Sequence, residues 1–293
     1  MKGLSKKSEM NTAQWLEKGC KELKEVTSNP LFESQYLLSS VLNVPLTALH
    51  FKENQILSPD SQKEFLKKIQ LRKKGFPIAY ITGEKEFFKR RFYVGAGVFI
   101  PRPETEGLME AALNLQEPLK GVDFGSGSGC LALSLTLERP DSRFIAVESD
   151  SLAYTYLKKN HREWKLNQKV KLLNQDVHLL TLEQVELFLR GKPNVIVANP
   201  PYVDQNDEQL EGFVKQFEPP AALFSDQEGL AHIYSWFSKA MELLQSGGVY
   251  IFELGYSQNK KVRNFLDEKN QLKSYKIYKD LQGWDRVAVC TKK

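Results

Sequence analysis

Cysteine is scarce. Cys20, Cys130 and Cys290 are the only three in 293 residues, far apart and odd in number. No CxxC pair is present, so neither a zinc site nor a thiol redox pair is expected. Long apolar runs are missing as well: none approaches the ~18 to 20 residues needed to span a bilayer. The N-terminal stretch MKGLSKKSEMNTAQWLEKG is basic but holds no apolar segment, so no secretory signal is expected. There is no internal repeat and no low-complexity tract. No basic run is interleaved with aromatics in the way that stacks RNA bases. These absences leave a reduced, cytoplasmic, soluble protein, free of metal and membrane, as the expectation.

Hydrophobic residues make up 41% of the chain and charged residues 26%. That supports a full core and is long enough for one large domain with a smaller one. The net charge of +5 is uneven, roughly +7 over residues 1–100 and roughly −2 over the rest. A basic front half suits nucleic acid or a ribonucleoprotein, or is simply a solvated helical surface. The slightly acidic remainder argues against a long nucleic-acid track.

Residues 1–75 read as a small helical bundle. Asn29-Pro30 and Ser58-Pro59 each pair an N-cap with proline at the first helical position, and Gly75 supplies a stop. His50 reads as a surface or packing residue. Residues 76–100 are rich in aromatics and β-branched residues punctuated by glycine, and read as a β-hairpin linker. Residues 101–293 alternate strands and helices. The strands are GVDF, RFIAVE, KVKLLN, NVIVAN, GVYIFEL, SYKIYKD and RVAVCTK. This pattern predicts an α/β, Rossmann-like sheet of seven strands. Only LQGWD separates the last two, so the final strand is antiparallel.

Two stretches carry chemistry. VDFGSGSGC, Val122 to Cys130, follows a strand and precedes an apolar helix. Gly125, Gly127 and Gly129 let the backbone turn tightly and approach a ligand, with Ser126 and Ser128 between them. Such a loop is common to many Rossmann-like proteins. Glu148, at the end of the next strand, is placed to accept both hydrogens of a ribose diol, which selects a nucleoside. Asp123 before the loop suits a cation better than the anion of a dinucleotide, which would need the helix N-terminus free for pyrophosphate. Asp176, ending the third strand, is placed for an adenine amino group, with Val177 lining the ring. Together these residues point to S-adenosylmethionine.

VIVANPPYVD, Val195 to Asp204, brings Asn199 to the same sheet edge. An amide or ring amine is a poor nucleophile because its lone pair is delocalised. Acceptors on its two N–H bonds, the Asn199 side-chain oxygen and the Pro200 carbonyl, would aim that lone pair at the methyl. Pro200 and Pro201 stiffen the loop, and Tyr202 packs on the planar group. The motif by itself leaves DNA adenine, rRNA guanine and protein glutamine open as acceptors.

With NPPY, DFGSGSG, the segment PIAYITGEKEFFKRRFYVGAGVFIPRPETE, FEPPAALFSDQEGL and the ending DLQGWDRVAVC, essentially the whole chain resembles the release factor glutamine methyltransferases, the HemK/PrmC family. The resemblance implies methyl transfer from S-adenosylmethionine to the side-chain nitrogen N5 of the GGQ glutamine in class 1 peptide-chain release factors, leaving S-adenosylhomocysteine. An rRNA or DNA exocyclic-amine N-methyltransferase is the alternative. By motif position, Gly125 to Gly129, Glu148, Val177 and Asn199 would contact the cofactor. Asn199, Pro200, Pro201 and Tyr202 would hold the glutamine, and Arg102 and Glu106 would line the mouth. Glu148 stands where members commonly have Asp, and Val177 where an aromatic is frequent. The helical front domain is expected to dock the release factor through the basic segment Arg72 to Arg91. A monomer without a stable nucleic-acid partner is expected.

Overall fold

The computed structural model describes residues 10–116, 118–207 and 212–293. The chain divides into two compact units, Met1–Gly83 and Glu84–Lys293.

The first unit is helical. Helix α1, Thr12–Leu23, starts on a reciprocal capping box between Asn11 and Gln14. Helix α2, Pro30–Leu42, starts where the Asn29 side chain accepts from the Phe32 N–H, and helix α3, Pro59–Lys73, where Ser58 accepts from Ser61. Both use proline in the first turn, where a missing N–H costs nothing. Trp15, Leu23, Leu37, Leu38 and Phe65 form their shared core. His50 is exposed.

The expected hairpin segment 76–100 divides differently. Residues Ile78–Thr82 form a short helix, α4, ended by Gly83 at φ +81°. Pro77 sets its first turn, and Ile78 and Ile81, three apart on one face, pack on the helical core. Tertiary burial thus overrides the strand preference of the isoleucines. The hairpin itself is only β1, Glu84–Phe87, and β2, Arg90–Tyr93. Phe88 and Lys89 turn it with positive φ at both positions.

The second unit is built on β3 (Lys120–Phe124), β4 (Arg143–Glu148), β5 (Val170–Asn174), β6 (Val195–Ala198), β7 (Val249–Glu253), β8 (Leu272–Lys279) and β9 (Asp285–Lys292). Their spatial order is β5-β4-β3-β6-β7-β9-β8. Strands β3 to β7 pair in parallel, and β9 inserts antiparallel between β7 and β8. Chain order reverses between β3 and β6, the switch point at which open α/β sheets bind ligands.

Apart from Asp123 and the charged residues at their ends, the central strands are apolar because both faces are covered. Phe124, Val147, Ala198 and Phe252 face the layer of α8 (Leu182–Leu189), helix Ala231–Leu243 and helix Asn259–Asp267. Ala146, Val197 and Ile251 face the layer of α5 (Glu106–Leu113), α6 (Cys130–Glu138) and α7 (Ser151–Glu163). Strand alternation therefore sends Asp123, Asn199 and Glu253 toward α5 and α6. Among the described residues no helix is long and apolar enough to cross a membrane.

Tyr250 sits in the first of these layers, fully buried and stacked on Phe252 at 4.9 Å. Its hydroxyl has no hydrogen-bond partner among the described residues. Tyr250→Phe should therefore leave thermal stability unchanged or raise it by about 1 kcal/mol. A drop of that size in a melting experiment would reveal a partner for the hydroxyl.

Candidate active site

The glycine loop leaves β3 in left-handed backbone: φ is +64° at Gly125, +55° at Gly127 and +83° at Gly129. The three glycines serve different ends. A Cβ on Gly125 would stand 2.6 Å from the Trp236 ring, and one on Gly129 would stand 2.5 Å from Leu157. A Cβ on Gly127 would meet nothing nearer than 4.0 Å, so there the backbone conformation alone favours glycine and the loop faces open space. Gly125, Ser126, Gly127 and Ser128 line a cavity of about 1260 Å³, while Gly129 lies behind it against helix α7. That volume exceeds the usual single-ligand pocket and leaves room for a nucleoside cofactor beside a substrate side chain.

Glu148 ties the loop down. Its Oε2 accepts the Gly127 N–H at 2.7 Å and its Oε1 the Asp150 N–H at 2.8 Å. Burial pushes its carboxyl up, and those backbone bonds oppose the shift. Each oxygen keeps a lone pair, and the side chain lines the cavity, so it can still take a diol. Asp176 and Val177 lie on the same wall. The Asp176 carboxylate caps a 3-10 turn through the His178 N–H at 2.7 Å, and Val177 is 5% exposed.

Asp123 is elsewhere. It is fully buried and off the cavity wall, on the α6 side of the sheet. One oxygen accepts the Ala132 N–H at 3.2 Å, and the other has no partner among the described residues. Burial raises its carboxyl to about 7, opposed by the Ala132 hydrogen bond. Strand alternation explains the displacement: one residue earlier than the strand end, it points between layers and holds the first turn of α6. Glu106 is also off the wall. Its Oε1 accepts the Phe88 N–H at 2.9 Å and so fastens the hairpin turn to α5.

The second half of the cavity is made by the NPPY segment. Asn199, Pro200, Pro201 and Tyr202 all line it, as does Arg102. The Asn199 Nδ2 donates one hydrogen to Thr105 Oγ1 at 3.1 Å, and Oδ1 is left as an available acceptor. The Tyr202 hydroxyl donates to Glu253 Oε1 at 2.7 Å. Burial and the neighbouring Glu253 charge hold that phenol well above its ordinary pKa, so it remains a donor.

Several residues of this arrangement escaped the sequence reading. Glu253 ends an apolar strand just as Glu148 does, and that parallel was the available signal. Gln258 donates to the Tyr202 carbonyl at 2.9 Å and accepts from Gly255, which pins the loop's backbone. Gln227, Glu228 and Gly229 form three consecutive left-handed residues, and a Cβ on Gly229 would stand 2.1 Å from the Tyr202 carbonyl. Buried Glu218 accepts from Ile100 N–H at 3.1 Å and pairs with Arg102, which fixes the guanidinium at the mouth. Nothing local in the sequence marks these last contacts.

Residues 14–83 match the family model of the PrmC N-terminal domain, and residues 96–229 that of the methyltransferase small domain. The release factor glutamine methyltransferase of Shewanella oneidensis is 36% identical over 239 residues, covering 80% of this chain and 80% of that protein. A bifunctional methyltransferase of Rickettsia conorii is 30% identical and covers 89% of this chain, which spans only about half, 53%, of that protein. The crystal structure of the hMettl16 catalytic domain in complex with a MAT2A 3′UTR hairpin superposes with a TM-score of 0.51 at 16% identity, covering 80% of this chain and 82% of that one. That likeness concerns the fold alone.

Asp123 gives a pH signature. Its carboxyl titrates near 3.8 when unfolded and about 7 when folded, so the folded state holds a proton that the unfolded chain releases. The stability this supplies is complete below the lower value and lost as pH rises through the upper one. Asp123→Asn should therefore gain about 2–4 kcal/mol relative to the parent between pH 4 and pH 8. Parallel melting curves across that range, with no divergence, would contradict the assignment.

Proposed function

That the chain belongs to the release factor glutamine methyltransferase family is the premise from which we propose its reaction: methylation of the N5 nitrogen of the GGQ glutamine in class 1 peptide-chain release factors. The observation that carries this reading is the Asn199 amide, anchored by its nitrogen to Thr105 with its oxygen left as an acceptor one residue past β6.

S-adenosylmethionine is the methyl donor, and it supplies a methyl group made electrophilic by an attached sulfonium. The residues present fit it. The Glu148 carboxylate has acceptor capacity for the ribose hydroxyls, and the open face at Gly127 admits a ligand against the backbone. Val177 offers an apolar surface for the adenine and Asp176 an acceptor for its amino group. In this reading Asp123 acts through helix α6 rather than on the cofactor, and Glu106 through the hairpin rather than on the substrate.

The Asn199 Oδ1 and the Pro200 carbonyl each accept one N–H of the glutamine amide. With both hydrogens held, the nitrogen lone pair is directed out of the amide plane toward the methyl. The rigid prolines keep these acceptors in place before the substrate arrives, so little entropy is lost on binding. Tyr202, anchored by Glu253, flanks the planar group. Once the nitrogen is alkylated its proton leaves readily to water, so no strong base is required at the nitrogen.

The reading further has a cytoplasmic enzyme that acts as a monomer on the release factor, without a stable nucleic-acid partner. The slightly acidic charge of residues 101–293 supports the last point. The match of residues 14–83 to the family's N-terminal domain supports a docking role for the helical unit. Its Arg72 is unsuited to contact a partner, since it holds Glu33 through two bonds of 2.6 and 3.1 Å.

Mass spectrometry of a release factor incubated with the protein and S-adenosylmethionine should show one added methyl on the GGQ glutamine. Label in RNA with none on the protein would overturn the reading. Asn199→Ala should retain cofactor affinity but lose turnover by about 100-fold or more. Unchanged turnover would remove Asn199 from the acceptor role. A chain lacking residues 1–83 should bind S-adenosylmethionine as before yet lose kcat/KM on the intact release factor. Full activity in that chain would dismiss the docking role.

A further inference from the structure

We propose that the aromatic pair Tyr256 and Trp284 is a docking shelf at the rim of the active-site cavity, for the apolar protein surface that flanks the methylated glutamine. The proposal rests on the glutamine methyltransferase reading above and adds to it a place where the release factor itself is held.

The shelf stands on the turn between β8 and β9, Asp280 to Trp284. Asp280, whose side chain is 9% exposed, ties that turn together. Its Oδ1 accepts the N–H groups of Gln282 and Trp284, each at 2.9 Å, and its Oδ2 accepts from the Arg286 Nε at 3.2 Å. Its backbone N–H donates to the Trp284 carbonyl at 2.8 Å, and its carbonyl accepts the Gly283 N–H at 3.0 Å. The Arg286 guanidinium lies 5.5 Å from the Tyr256 ring, and the Tyr256 and Trp284 rings meet at 5.4 Å. Tyr256 and Arg286 both line the cavity. The shelf is therefore continuous with the site that the glutamine enters.

This firmly held turn keeps its apolar groups in water. Trp284 is 49% exposed, Tyr256 41%, and Leu281 on the same turn is fully exposed. Apolar residues scattered singly on a surface need no explanation. An aromatic pair in contact, on a rigid turn at a cavity rim, has the composition and setting of an interface hot spot. Rigidity also lowers the entropy lost on binding. The other ligand that stacks on rings, a single-stranded nucleic acid, needs cations free for its phosphates. The adjacent cations are engaged instead: Arg286 by Asp280, and Lys279 by the Gly283 carbonyl at 2.8 Å. That favours a protein surface. In the proposed substrate two glycines precede the glutamine, and backbone without side chains can lie close over a ring.

Trp284→Ala should raise the KM for a class 1 release factor about tenfold, with kcat and the S-adenosylmethionine Kd within about twofold of wild type. Trp284→Phe, which keeps an aromatic ring, should recover most of that loss. The ring is exposed, so both variants should keep the wild-type melting temperature. A second measurement needs no turnover. In protein labelled with fluorotryptophan, the fluorine NMR resonance missing from Trp284→Phe reports Trp284. It should shift when unlabelled release factor is added with S-adenosylhomocysteine. A KM for Trp284→Ala within about twofold of wild type, or a resonance unmoved at saturating release factor, overturns the proposal. So does a resonance that moves with a single-stranded oligonucleotide and not with the release factor. If wild type methylates the release factor and Trp284→Ala leaves KM unchanged, the docking shelf alone falls. If wild type neither methylates nor binds it, the functional reading falls and the shelf's partner with it.

Discussion

The parallel register of β3, β6 and β7 is the constraint on which the cavity depends. Phe124 pairs with Ala198, and Ala198 with Phe252, so these three residues stand level across the sheet. The residues that follow, Gly125, Asn199 and Glu253, are thereby set side by side at the edge where chain order reverses. A slip of one residue in β6 would turn Asn199 to the opposite face of the sheet. Burial on both faces protects against that slip, since Val195 to Ala198 are wholly buried and each has a fixed layer to enter.

Three carboxylates near this edge share burial and differ in use. Glu148 accepts two backbone N–H groups, faces the cavity and retains acceptor capacity there. Asp123 faces inward, braces α6 through Ala132 and is raised to about 7, so near neutral pH it is poised between its two forms. Glu253 accepts the Tyr202 phenol on one oxygen and has no partner on the other among the described residues, and burial raises its carboxyl. Burial works against ionisation in all three, and what differs is which donors answer it. The donors come from backbone in the first two cases and from the Tyr202 phenol in the third.

Much of this was legible along the chain. Strand RFIAVE is β4 residue for residue, and the short LQGWD connection correctly implied an antiparallel final strand. The paired caps Asn29-Pro30 and Ser58-Pro59 start α2 and α3 because cap chemistry is local. The hairpin was overextended: Ile78 and Ile81 read as strand residues, yet the helical core took them. Within the site, Gly125, Glu148, Asn199 and Tyr202 reached the cavity because each belongs to a strand end, and strand ends are visible as apolar runs that stop. Asp123 and Glu106 lie off the cavity wall, because proximity in sequence to a motif does not say which face a side chain takes.

The sequence by itself determined the alternation of strands and helices, the glycine loop and the NPPY segment, since each follows from periodicity or from the backbone freedom of glycine and proline. Only the tertiary structure decided which acids face the ligand and which brace it, and that Thr105, from a different segment, holds the Asn199 amide. Those outcomes rest on hydrogen bonds between residues 94 positions apart for Thr105 and Asn199, and 51 apart for Tyr202 and Glu253. Such pairs have no local signature, because the direction of a hydrogen bond depends on the partner that folding supplies.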